Sequence, residues 1–209
     1  MDKIKLNFIN RSNDTNNSNI VIFQQNAASD FNETAVAWIV IENCGRLDNH
    51  SFTYPMNFGI SAGDSYGNFT PQLNADHGQA FDMLKSTSGN ILQMSSTPAT
   101  NPKEVEIRNN LPIGAIDANC YRDGKLCAVT TGLAPGQKAV FEFQPKIFIG
   151  VASQIEQGEV MNSAIMSQIN SEINLFGITS ADIVMTGGGP GVSSTPFTFT
   201  LENINHNTH

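Results

Sequence analysis

The sequence predicts an all-β protein: a single β-sandwich, mostly antiparallel, with at most one or two short helices. Three observations lead there. Runs rich in Val, Ile, Phe and Thr recur along the chain and number roughly ten to twelve. Clusters of Gly, Pro, Asn, Asp and Ser separate them, and these are the residues that turns select. No long stretch keeps the 3.6-residue apolar period of a core-facing helix.

Lys3 to Asn10 alternates Ile4, Leu6 and Phe8 against Lys3, Lys5 and Asn7, the period of a half-buried strand. Residues 11–19 are nearly all Asn, Ser, Asp and Thr, whose side chains compete for the backbone, and read as a loop. Residues 20–25 and 35–43 are β-branched strands, the second carrying Trp38 into the core. Residues 52–60 are extended, with Pro55 removing a ladder donor and pointing to an edge or a bulge. Turn formers fill residues 61–68. Residues 80–84 and 91–95 read as two short strands joined across Ser88-Gly89-Asn90. Residues 96–103, with Pro98 and Pro102, are the most linker-like segment, and Val105 with Ile107 resumes an alternating strand.

Residues 120–149 hold the clearest local structure. Asp123-Gly124 between β-prone flanks is the composition of a type I′ turn, which needs positive φ at both central positions. Counting outward pairs Arg122 with Lys125, Tyr121 with Leu126 and Cys120 with Cys127. Opposed strand residues lie about 4.5 to 5.5 Å apart at Cα, within disulfide range, so Cys120 and Cys127 are candidates for a bridge that a reducing compartment would disfavour. Cys44 is the odd cysteine, a small core hydrophobe. Pro135-Gly136 turns the chain, and residues 138–149 read as one long strand. The Leu133-Ala134-Pro135-Gly136 turn ahead of that strand resembles a connection of immunoglobulin-like and fibronectin-like sandwiches. An immunoglobulin-like or jelly-roll-like architecture is the expectation.

Beyond Gly150, residues 159–170 set Val160, Ala164, Ile165 and Ile169 at a helical spacing among Ser and Asn of low helix propensity, so a short helix and an irregular strand are equally open. Residues 173–176 and 182–186 return to strand character, Gly187 to Gly191 interrupts, and residues 197–201 alternate Phe197, Phe199 and Leu201 against Thr198 and Thr200. Residues 203–209 form a polar tail, expected to be loosely ordered. With no repeat and no long linker, residues 1–209 read as one domain.

Composition narrows the function classes. Nineteen Asp and Glu face eleven Lys and Arg, for a net charge of -8, and no basic cluster exists to neutralise phosphates, so nucleic acid is not a partner. Charged residues make up 14%, against about 25% in an average domain, which leaves a surface of amides and hydroxyls. No leader pattern and no apolar run of about 18 residues is present, so cytoplasm is the default location; leaderless export fits equally, and a membrane surface stays open as a partner.

Candidate chemistry meets its context and falls short. Gly59-Ile60-Ser61-Ala62-Gly63 matches G-x-S-x-G, but turn residues follow where a helix should. Gly187 to Gly191 follows a strand as phosphate loops do, yet lacks the Lys-Ser/Thr that completes one. Asp76, His77, Asp82 and the pair Asp64 and Asn68 could donate to a metal but show no ligand spacing, so neither metal nor cofactor is expected.

The expected function is therefore non-enzymatic: a bacterial-style structural or binding protein acting through its surface, by self-assembly or by binding a glycan or a protein. Tyr54, Tyr66 and Phe69, flanking turns, are the candidate ligand-binding rings. The alternative is a membrane-active, pore-forming protein refolding through residues 153–191. A serine hydrolase using Ser61 with His77 ranks third.

Overall fold

The computed structural model describes residues 3–28 and 35–207. Among the described residues the chain is mostly β with one short α-helix, as its patterning predicts. In chain order the strands begin β1 (Lys3–Asn10), β2 (Asn19–Phe23), β3 (Ala35–Ile41), β4 (Asn49–Pro55), β5 (Phe58–Asp64), β6 (Leu73–Ala75), β7 (Ala80–Ser86) and β8 (Gly89–Met94). They continue as β9 (Val105–Asn109), β10 (Ile116–Arg122), β11 (Lys125–Leu133), β12 (Lys138–Phe141), β13 (Lys146–Ala152) and β14 (Val160–Met161). Helix α1 (Ser163–Gln168) follows, then β15 (Ser171–Asn174), β16 (Ile178–Gly188) and β17 (Thr195–His206).

Among the described residues these strands form four sheets rather than the two of one sandwich. The chain divides into two compact units, the first of Met1–Gln25, Thr34–Met56 and Pro145–His209, the second of Asn26–Glu33 and Asn57–Gln144. The expected strand over residues 52–60 becomes β4 and β5, and the one over residues 138–149 becomes β12 and β13. At each break a proline, Pro55 or Pro145, cannot donate to a ladder, and there the chain passes from one unit to the other.

In the first unit one sheet runs β17-β16-β1-β4 and the other β14-β3-β2-β13-β15. β4 is an edge, as Pro55 suggests, and β1 pairs with β16 in parallel, Phe8 beside Ile183. The sheets meet face to face where Trp38 of β3 packs edge-on against Phe52 and Tyr54 of β4, both at 6.0 Å. On the far side of the five-stranded sheet, Val21, Phe23 and Ala37 join Met161 and Ile169, which flank α1. β2 and β3 are thus covered on both faces, which explains their unbroken apolar runs. Asn162 caps α1, its side chain accepting from the Ile165 N–H at 3.0 Å.

In the second unit the sheets run β11-β10-β5-β6 and β12-β9-β7-β8, with β7 and β9 parallel. Asp123 and Gly124 take φ of 52° and 70°, as a type I′ turn demands, and Arg122 opposes Lys125 and Tyr121 opposes Leu126 as counted. One step later a β-bulge intervenes, so Cys120 opposes Ala128 rather than Cys127. Both thiols are free and fully buried, and Cys127 Sγ donates to the Cys120 carbonyl at 3.3 Å. Burial, then the neighbouring Cys127 sulfur, push the Cys120 thiol well up, away from the reactive thiolate. The linker-like segment is pinned: Arg108 of β9 holds Thr97 Oγ1 at 2.6 Å and the Pro98 carbonyl at 2.8 Å. The supposed tail is strand as far as His206, which pairs with Ile178. His209 lies outside the described residues.

Candidate binding groove

In the first unit, the outward positions of the β17-β16-β1-β4 sheet gather small polar side chains from all four strands. In register, Lys5 lies between Thr53 and Ser180, and Asn7 between Ser51 and Asp182. The third neighbour is set by an irregularity. Between Asn205, opposite Ser180, and Glu202, opposite Asp182, β17 carries one residue more than β16. Asn203 takes φ of 50° there, the left-handed conformation that Asn tolerates best among residues with a Cβ. The bulge turns Asn203 and Asn205 back onto the same face.

A row of hydrogen bonds results. Ser51 Oγ donates to Asn7 Oδ1 at 3.1 Å, and Asn7 Nδ2 donates to Asp182 Oδ1 at 3.3 Å. Asn203 Nδ2 donates to Asp182 Oδ2 at 2.6 Å, and Asn205 Nδ2 donates to Ser180 Oγ at 2.9 Å. Arg11 and Glu202 form an exposed ion pair at 2.9 Å. Asn7, Ser51, Ser180, Asp182, Asn203 and Asn205 line an open groove of about 450 Å³, to which Leu6, Phe52 and Ala181 also contribute. Lys5 is exposed and adds an ammonium donor. The lining therefore offers fixed donors, a carboxylate acceptor, hydroxyls of either sense and apolar carbon.

No protein-family model, no curated protein and no solved structure matches this chain. What the groove can do rests on its own geometry.

The three rings expected to form a binding face are distributed differently. Tyr54 is buried, 1% exposed against Trp38, and belongs to a core. Tyr66 and Phe69 are 89% and 67% exposed in the turn between β5 and β6. Asp64 organises that turn by accepting from the Tyr66 and Asn68 N–H groups and from the Asn68 amide, and these bonds, the Asn68 side chain first, hold its carboxyl below the usual range. The G-x-S-x-G match is packing. Gly59, Ser61 and Gly63 share one face of β5, where Gln72 overlies Gly59 and the Phe69 ring crosses Gly63, 2.8 Å from where a Cβ would stand. Ser61 is buried, its hydroxyl 3.1 Å from the Tyr121 hydroxyl and accepting from Asn119 Nδ2 at 3.3 Å.

His77 packs against the Phe58 ring at 5.1 Å, and desolvation, then the Arg122 charge, lower its pKa. Arg122 itself is buried with its guanidinium 4.3 Å from the Phe58 centroid. Gly187 and Gly188 lie in β16, where a Cβ on Gly188 would stand 2.7 Å from the Phe197 ring, so they serve the close β16–β17 hairpin. The span 153–191 is woven into both sheets of its unit, β15 against β13 and β16 between β1 and β17. Of the groove, only the outward alternation of Lys5 and Asn7 is readable in the sequence. The bulge that brings Asn203 and Asn205 to them is not.

Proposed function

We propose that this chain is a non-enzymatic binding protein whose groove over β17, β16, β1 and β4 holds a glycan. The carrying observation is the hydrogen-bonded row from Ser51 through Asn7 and Asp182 to Asn203, which crosses four strands inside one open groove. Pockets for apolar small molecules are walled by aliphatic and aromatic side chains with few polar groups. In this groove eight of the eleven lining residues carry polar side chains, set among apolar carbon. A sugar ring matches it, because every hydroxyl donates and accepts while its C–H face remains apolar. Asp182 can accept from two adjacent hydroxyls, and the amides of Asn7 and Asn203 have acceptor oxygens and second N–H groups to offer. The side chains are already fixed by one another, so little rotamer freedom is left to lose on binding.

The test is calorimetric titration with neutral hexose and N-acetylhexosamine oligosaccharides, after a glycan array selects among them. The wild-type chain is expected to bind, and Asp182→Ala to weaken binding at least about tenfold, roughly 1.4 kcal/mol, with an unchanged circular dichroism spectrum. Absence of binding to any glycan, or equal affinity in the variant, sinks the reading.

A further inference from the structure

β17 closes one side of its sheet: it pairs with β16, and among the described residues no strand takes its other side. It is 12 residues long, and such an edge presents a row of free N–H and C=O groups. Natural edges are usually blunted by lysines, bulges or proline. Here Pro196 and the bulge at Asn203 bracket a run, Phe197-Thr198-Phe199-Thr200-Leu201, that carries no such guard. Phe199 and Leu201 oppose Met185 and Ile183, both fully buried, yet remain half-exposed themselves, as does Phe197. The apolar row is left unfinished at the edge.

We propose that two copies of this chain associate by antiparallel pairing of β17 with β17. A two-fold axis at Phe199 sets Phe199 against its own copy, Phe197 against Leu201 and Thr198 against Thr200, so each side chain meets its own kind. Glu202, the only formal charge on the strand and engaged by Arg11, falls opposite Pro196, which keeps the two carboxylates apart. The chain carries a net charge of -8, and the run from Phe197 to Leu201 holds no charged residue, so pairing along it brings no like charges face to face. Self-complementarity is what selects a second copy over an unrelated strand.

Sedimentation equilibrium across a concentration series tests the pairing. The wild-type chain is expected to reach twice the monomer mass. Thr200→Lys, on the exposed face, is expected to raise the dimer dissociation constant at least about tenfold with the circular dichroism spectrum unchanged. Phe199→Cys is expected to give a covalent dimer with a thiol oxidant such as diamide, two thiols losing two electrons and two protons to form the bond, and a reductant should reverse it. A monomer at every concentration overturns the proposal, and so does a dimer indifferent to Thr200→Lys or a Phe199→Cys chain that fails to crosslink.

Discussion

At the scale of single residues, Glu106 is the most consequential side chain outside the groove. Its carboxylate is wholly buried and accepts from Lys138 Nζ at 2.6 Å, Arg108 Nη2 at 2.7 Å and the Thr100 N–H at 2.8 Å. Burial pushes its pKa up, but these bonds outweigh burial and hold it at about 2, against an ordinary 4.5. Because the folded value lies below the unfolded one, the stabilisation is complete above pH 4.5 and is lost as pH falls towards 2. The difference corresponds to about 3 kcal/mol. The urea midpoint should therefore be flat above pH 5 and drop through that window. Glu106→Gln should lose about 3 kcal/mol at neutral pH, since Lys138 and Arg108 keep their charges without the carboxylate, and should flatten the acid drop. In the sequence Glu106 reads as the solvent-facing member of an alternating strand. It is buried because the segment before β9 folds over it, a placement that no local pattern records.

At the scale of elements, local chemistry was legible and long-range accommodation was not. The Asp123-Gly124 turn is set by two residues, and its first two rungs follow. The bulge beyond them depends on how Cys127 and Ala128 both fit opposite Cys120, so counting along the sequence misplaces that rung. Glycines divide the same way. Gly150 of β13 seats the end of α1, and a Cβ there would stand 2.7 Å from Ile169 Cα, a backbone atom. At Gly63 the obstacle is the exposed Phe69 ring, which can swing aside. Gly150→Ala should accordingly cost about 1–3 kcal/mol in chemical denaturation, and Gly63→Ala well under about 1 kcal/mol. Equal costs would show that the seat of α1 yields as easily as a surface ring. In the sequence Gly150 closes a β-prone run and Gly63 stands among turn formers, and neither context records what a Cβ there would meet.

At the scale of the whole molecule, the all-β class was legible because alternation and turn residues are repeated in every segment. The count of sheets was not, because two of the passages between units occur at Pro55 and Pro145, inside runs that read as single strands, with no linker to mark them. Each unit buries its own apolar residues, so calorimetry should resolve two transitions. Glu106→Gln should lower only one of them and Gly150→Ala only the other; a single transition moved by both would show the units unfolding as one. The parallel pairing of β1 with β16 reaches further still. Asn7 and Asp182, the centre of the groove, stand 175 residues apart. During synthesis, residues 57–144 leave the ribosome and can fold while β1 still waits for its neighbours. The groove comes into being only when β16 and β17 arrive, so a chain terminated after Gln144 could hold a folded second unit and have no groove.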